Sequence, residues 1–345
     1  MNLILLFILY FFFIFFLNSI FLKKKIFIDK KLLDHKSFIS KDLVPISGGF
    51  LIIINLLIFN SNYLTNIFFL GIFSLGVFSD LMIIQNPVKK FLIQLFIVIF
   101  FLLLFNISIL STKIFFVDFF IQNKLFALLF TAFCLLILIN GSNFLDGINT
   151  LVCGYYILII LVILYIGHYN KINYNFSEFN YLLISLLVIF LFNIFSKCYL
   201  GDSGTFLLSF FIGYHLINLC NINLTLNKFI SPAFIMLLLW YPAFENLFSI
   251  IRKILTNKNA GDPDNFHFHH LLFSYLNKKI NNKKTVNSLT GIVINFYNFL
   301  IFSISLSFYN KTNFLFFLVM INVCVYVFFY LILYKKGFIN QNKVL

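Results

Sequence analysis

Apolar residues are gathered along this chain into eleven blocks, at about 2–22, 48–60, 66–84, 91–110, 124–141, 151–168, 180–196, 203–220, 228–250, 287–308 and 313–334. Most of them approach the roughly 20 residues that an α-helix needs to cross the hydrocarbon core of a bilayer. The pattern predicts an all-α membrane protein, a polytopic bundle of about 11 transmembrane helices forming a single domain over 1–345. The block at 48–60 is short, and lengthens only by taking in polar neighbours. No polar stretch between blocks is long enough to fold alone, which excludes a soluble domain.

Charge assigns the sides. The first block has no charge before it and Lys23, Lys24 and Lys25 after it. That is the reverse of a cleaved leader's basic start, so the block is expected to stay as an anchor with the N-terminus outside. With sides alternating from there, 20 of the 25 Lys and Arg fall on the cytoplasmic face, seven of them in 23–46 and seven in 251–286. Lys113, Lys124, Lys171, Lys228 and Lys311 fall outside. The bias follows the positive-inside rule and predicts an odd number of spans with a cytoplasmic C-terminus.

Composition adds little to this. The 345 residues are 61% hydrophobic and 10% charged, with a mean hydropathy of +1.00. A net charge of +14 often points to nucleic acid, but here it flanks spans and forms no basic module, so no nucleic-acid partner is expected. The wealth of Phe, Ile, Asn and Lys fits a codon bias toward A and T. Cys134, Cys153, Cys198, Cys220 and Cys324 form no C-x-x-C pair, and are expected to pack as small apolar residues.

On the assigned topology every polar patch lies on the cytoplasmic side. Pro45–Gly49 leads into the second block, Ser79 and Asp80 end the third, and Asn140–Asn149 follows the fifth. Tyr199–Gly204 enters the eighth, and a run carrying His267, His269 and His270 lies between the ninth and tenth. Polar groups without partners in hydrocarbon cost several kcal/mol. Five such patches on one face therefore predict one site, built from loops near 23–47, 85–90, 142–150, 197–202 and 251–286. A transport pathway would more often leave ionisable groups within the spans, where Glu245 is the main exception.

Each patch supports two readings. Gly48 and Gly49 could form only a tight turn, or could let backbone N–H groups approach a phosphate. Gly201–Gly204 could be a helix cap with Asp202 or Ser203 as acceptor. It could equally place Asp202 to hold Mg2+, which takes one or two carboxylates plus substrate phosphates, at a helix start that favours an anion. Asn140, Asn143 and Asp146 recur at a spacing of three and share one helical face, as a turn cluster or as ligands. The adjacent histidines could be interfacial, but suit an anionic ligand or a metal better.

In combination and order these patches resemble the polyprenyl-phosphate N-acetylhexosamine-1-phosphate transferases, from the His35-bearing loop and Pro45–Gly49 to the run Pro263–Leu271. The form Pro-Asp-x-x-His-x-His-His-Leu looks more like the branch that uses UDP-N-acetylhexosamines than the peptidoglycan branch. The resemblance implies a multi-pass enzyme of the bacterial cytoplasmic membrane, in which polyprenyl phosphate attacks the β-phosphorus of a UDP-sugar and UMP leaves. It implies Mg2+, with Mn2+ as a substitute, held by Asp202 and Asp146. Asp80, Asp146 and Asp202 would be the catalytic carboxylates. Ser47, Gly48, Gly49, Asn140, Asn143, Asn149, His267, His269 and His270 would bind substrates. A homodimer is compatible with it.

The chain departs from the family pattern at two places. Where the family usually has two adjacent aspartates this chain has Ser79-Asp80, and where it often has a second Asp this chain has Asn149-Thr150. A phosphate monoester with a second pKa near ~6 is already mostly a dianion at neutral pH, so the loss of a base need not abolish activity. The alternatives are a non-catalytic relative that binds lipid phosphate or nucleotide sugar, and a membrane transporter.

Overall fold

The computed structural model describes residues 2–28, 43–172, 174–225, 230–257 and 265–341. The His35 loop and the Asp262–Asp264 part of the histidine run lie outside the described residues. Fourteen helices are present among the described residues, and the isolated bridge between Ile28 and Pro45 is the one β-type pairing. In chain order they are α1 (Leu3–Lys24), α2 (Gly48–Phe59), α3 (Tyr63–Asp80), α4 (Pro87–Phe105), α5 (Phe115–Ile121), α6 (Lys124–Leu145) and α7 (Leu151–Tyr169). There follow α8 (Ser177–Ile194), α9 (Gly201–Thr225), α10 (Pro232–Leu238), α11 (Trp240–Leu255), α12 (Phe268–Asn277), α13 (Lys283–Leu306) and α14 (Thr312–Gln341).

Among the described residues each of the eleven predicted blocks contains helix. Nine of these helices are long and apolar enough to cross a membrane, α2 is a shorter apolar helix, and α10 with α11 forms a pair bent by 70°. The chain is thus a polytopic helical membrane bundle. Asparagine sets many of the starts. Asn2, Asn62, Asn86, Asn123 and Asn282 each accept from backbone amides of the turn that follows, the usual way to satisfy donors that a helix leaves open.

The boundaries differ from the expected ones where the functional patches begin. α6 runs through Asn140 and Asn143 to Leu145, α4 takes Lys89 and Lys90 into its first turn, and α9 opens at Gly201. The loops are correspondingly shorter than predicted. The block at 228–250 is not one straight span, and Pro242 explains the break. Lacking an N–H, it cannot bond the carbonyl of Leu238 one turn earlier. That carbonyl instead accepts from the buried Tyr155 hydroxyl at 2.7 Å.

α9 is the central helix, packed on α2, α3 and α6. Its first turns are approached very closely by two glycines. A Cβ on Gly76 of α3 would stand 2.3 Å from Ser203 Cα, and one on Gly49 of α2 would stand 2.7 Å from Gly204 N. α7 and α9 are largely enclosed, whereas α1 and α4 present most of their surface outward, as helices at a lipid boundary do. Glu245 is not the sole buried acid. Glu178 on α8 lies 3.5 Å from His215 on α9, whose other ring nitrogen is 2.7 Å from the Tyr174 hydroxyl.

The glycine contacts give a stability test. Gly76→Ala is expected to lower the thermal unfolding temperature in detergent, because its methyl meets backbone that must shift, and overpacking costs about 1–3 kcal/mol. Gly71→Ala, whose nearest neighbour would be a side-chain carbon of Ile97 at 3.8 Å, is expected to be neutral or slightly stabilising, since alanine is favoured over glycine in helices by about 1 kcal/mol. Equal melting temperatures for the two variants would contradict the close α3–α9 packing.

Candidate active site

The site is organised by the start of α9. Gly201 has φ +70°, a left-handed conformation suited to glycine, and a Cβ there would come within 2.2 Å of Ile46 and 2.7 Å of an Asp80 oxygen. The first N–H groups of the helix have no acceptor within it. Here they are met by carboxylates from two other helix ends. Asp80, the last residue of α3, accepts from Asp202 N at 2.8 Å through Oδ1 and from Ser203 N at 3.0 Å through Oδ2. Asp146, just after α6, accepts from Gly201 N at 3.2 Å.

Asp202 supplies a third carboxylate from the first turn itself. Its Oδ2 accepts from the Ser79 hydroxyl and lies 3.8 Å from the Lys90 ammonium, which donates to Ser79 Oγ at 3.1 Å. The cap expected from Asp202 or Ser203 is therefore provided by Asp80 from a neighbouring helix. Lys90 and the start of α9 place positive charge beside these carboxylates.

The glycine patch seats α9. Gly48 N donates to Tyr199 O at 3.0 Å and Tyr199 N to Pro45 O at 2.9 Å. A phosphate at the Gly48 amide would have to displace that bond. Ser47 is fully buried, its hydroxyl 2.5 Å from Asn18 Oδ1 and 3.1 Å from Cys198 Sγ. Burial pushes the Cys198 thiol up to about 11, against the Ser47 hydrogen bond and with help from Asp146, so it stays protonated.

The asparagines divide. The Thr205 hydroxyl donates to Asn143 Oδ1 at 3.3 Å, which ties α6 to the first turns of α9. Asn140 donates to Gln94 Oε1 at 3.0 Å and to Leu136 O at 2.8 Å. Asn149 faces α13 and the turn after α8. Its N–H donates to Asn287 Oδ1 at 3.1 Å, and its amide to Ser196 Oγ at 2.7 Å and Ser288 Oγ at 3.4 Å.

The histidine run closes the site from the other side. His267 precedes α12, and its ring lies nearly parallel to that of His269 at 5.4 Å, while the rings of His269 and His270 are 4.3 Å apart. A Cβ on Gly147 would be 2.8 Å from His270 Cε1 and 3.5 Å from His269 Nε2. The run therefore packs on the turn that carries Asp146. Sequence reasoning gave no role to Glu245, whose Oε1 is 3.0 Å from His267 Nδ1, or to buried Lys253, whose ammonium lies 5.9 Å from the Phe144 ring centre. The signal for the first was present, since a lone carboxylate within an apolar block needs a partner.

Among the described residues no three or more His, Cys, Asp or Glu side chains gather as a metal cluster. Mg2+ does not require one. It prefers hard oxygens, commonly one or two carboxylates completed by water and phosphate. Asp202 and Asp146 at one helix start fit that chemistry. Asp80, with each oxygen already on a backbone amide, serves α9 directly.

The model of glycosyl transferase family 4 matches residues 62–220. These residues include Ser79, Asp80, Asp146 and Asp202. The chain is also 31% identical over 147 residues to a Bacillus subtilis (strain 168) protein named "Probable undecaprenyl-phosphate N-acetylglucosaminyl 1-phosphate transferase". That match covers 39% of this chain and 37% of the relative. The family match runs from the start of α3 to the body of α9 and so spans the three converging carboxylates; over this stretch the chain is similar to glycosyl transferase family 4.

Proposed function

We propose that this protein transfers an N-acetylhexosamine-1-phosphate from a UDP-sugar to polyprenyl phosphate, and so starts assembly of a cell-envelope glycan. The observation that carries the proposal is the convergence of Asp80, Asp146 and Asp202 on the start of α9, with the histidines packed on the Asp146–Gly147 turn. In the reaction an oxygen of the lipid phosphate bonds to the β-phosphorus of the donor. The bond from that phosphorus to the bridging oxygen breaks, and UMP departs with the electron pair. Such a transfer depends on alignment and charge neutralisation more than on covalent help.

Asp202 and Asp146 would hold Mg2+, which would neutralise the diphosphate as charge moves to the leaving UMP. Asp80 holds the first turn of α9, and with it Asp202, in place. His269 and His270 lie against the Asp146–Gly147 turn, and would meet the nucleotide sugar. The lysine-rich face bearing these groups would be cytoplasmic, with the N-terminus outside and the C-terminus inside, in a bacterial cytoplasmic membrane. One observation favours a second reading, a binding protein without turnover. At position 79 a serine hydroxyl, not a carboxylate, meets Asp202.

A transfer assay with purified protein in detergent, labelled UDP-GlcNAc, polyprenyl phosphate and Mg2+ separates the two readings. Lipid-extractable label formed together with UMP is expected, and bound donor without transfer would favour the second reading. Chelation of divalent cations should stop the reaction and Mg2+ should restore it.

Asp202→Asn is expected to lower turnover by about 100-fold or more, as removal of a group that stabilises developing charge does, with little change in melting temperature. Asp80→Ala should instead destabilise the fold by about 1–2 kcal/mol, the usual effect of a lost helix cap. An active Asp202→Asn enzyme would remove the metal assignment.

Sidedness has its own measurement. A membrane-impermeant thiol reagent applied to intact cells is expected to label a cysteine at Asn62 and to spare one at Asn282. The opposite pattern would put the carboxylates on the face that UDP-sugars do not reach.

A further inference from the structure

Glu245 has no part in the transfer described above, yet the histidine run is attached to the bundle through it. It lies on α11 and is 1% exposed. Its Oε1 is 3.0 Å from His267 Nδ1 and accepts from Phe268 N at 3.3 Å. Its Oε2 accepts from the Tyr326 hydroxyl of α14 at 2.7 Å. One carboxylate therefore joins α11, the start of α12 and α14. An ionised acid at such a place is tolerated only with good partners, and removing a partner costs more than the pair contributes.

Two consequences reach the site. A carboxylate at Nδ1 keeps a proton on that nitrogen, which leaves Nε2 as an acceptor in the neutral ring or as a second donor in the imidazolium. The bond to Phe268 N fixes the first turn of α12. That turn carries His269 and His270, whose rings lie against Gly147 beside Asp146. A shift of the turn would move these rings relative to the Asp146 carboxylate.

We propose that Glu245 is a positioning residue for the nucleotide-sugar half of the site. It holds the proton at His267 Nδ1 and seats His269 and His270 against the Asp146–Gly147 turn, where the diphosphate of a nucleoside diphosphate sugar is bound. This inference rests on the transferase reading above for its substrate, and on the Glu245 contacts alone for its geometry.

The test uses the full chain in detergent. Nitrogen-15 NMR of labelled histidines, with His267 assigned as the resonance lost in His267→Asn, is expected to show a protonated Nδ1. A bare Nδ1 overturns the proposal. In kinetics, Glu245→Ala is expected to lower kcat/KM for UDP-GlcNAc by about 10- to 100-fold, the range for loss of a carboxylate that orients a ligand histidine. The KM for polyprenyl phosphate should change by less than about twofold.

Glu245→Gln, whose amide oxygen can accept the same two N–H groups while its amide nitrogen donates to Tyr326, should recover most of the loss. Equal losses toward both substrates that follow the melting temperature would overturn the proposal in favour of a purely structural role. If Glu245→Ala does not fold, Glu245→Asp decides. It keeps the charge but withdraws the carboxylate by one methylene, and an unchanged kcat/KM for the donor overturns the proposal. A wild type that neither binds nor converts any UDP-sugar removes the transferase reading, and the His267 spectrum, which needs no turnover, then decides the Glu245 claim by itself.

Discussion

A helix that begins inside a protein must find acceptors for amides that its own carbonyls cannot reach. α9 begins in such a place, since Gly201, Asp202 and Ser203 are all buried where α2, α3 and α6 meet. Two carboxylates from the ends of α3 and α6 meet that demand. The solution brings acid groups from distant parts of the sequence together, because Asp146 takes the amide of Gly201 while Asp80 takes those of Asp202 and Ser203. The first turn then adds Asp202 to the group. A cluster assembled to satisfy backbone donors thus gathers carboxylates beside a helix start and the Lys90 ammonium.

Close packing keeps the arrangement in register. Gly76 and Gly49 allow α3 and α2 to touch the backbone of α9 at Ser203 and Gly204, and Gly147 allows the histidine rings to touch the turn that holds Asp146. Where a side chain would intervene, the carboxylates would be pushed away from the amides that fix them. On the far side Pro242 bends the chain between α10 and α11, and the freed carbonyl of Leu238 finds Tyr155. The bend precedes the segment that carries Glu245, so the broken span and the seating of the histidines belong to one device.

Much of this was legible in the sequence, for a physical reason. Burial in lipid demands long apolar helices, so α1, α4, α7 and α14 stand out as blocks, and polar residues that interrupt them mark the place where the patches meet. The convergence of Asp80, Asp146, Asp202 and the histidines was expected. What linear reading missed lies in contacts between helices. Nothing along the chain says that Asp80, not Asp202, caps α9, since the acceptor comes from 122 residues away. A lone carboxylate at Glu245 signals that it needs a partner, and Pro242 within an apolar block signals a bend, but neither says that the partners are His267 and Tyr326. Helix ends were misplaced where asparagine and glycine, which usually mark turns, are carried inside α6 by packing on α11.

The two departures from the family pattern are each matched to their surroundings. Ser288 donates its proton to Ile194 O at 2.7 Å, so its oxygen faces Asn149 as an acceptor. An amide at 149 can donate to that oxygen, whereas an ionised carboxylate there could not. At position 79 the hydroxyl donates to Asp202 and accepts from Lys90, linking an anion to a cation through one small group. A carboxylate there would add a further negative charge beside Asp202 and would have no proton to give it. Ser79 and Asn149 are therefore consistent parts of this chain's own hydrogen-bond network.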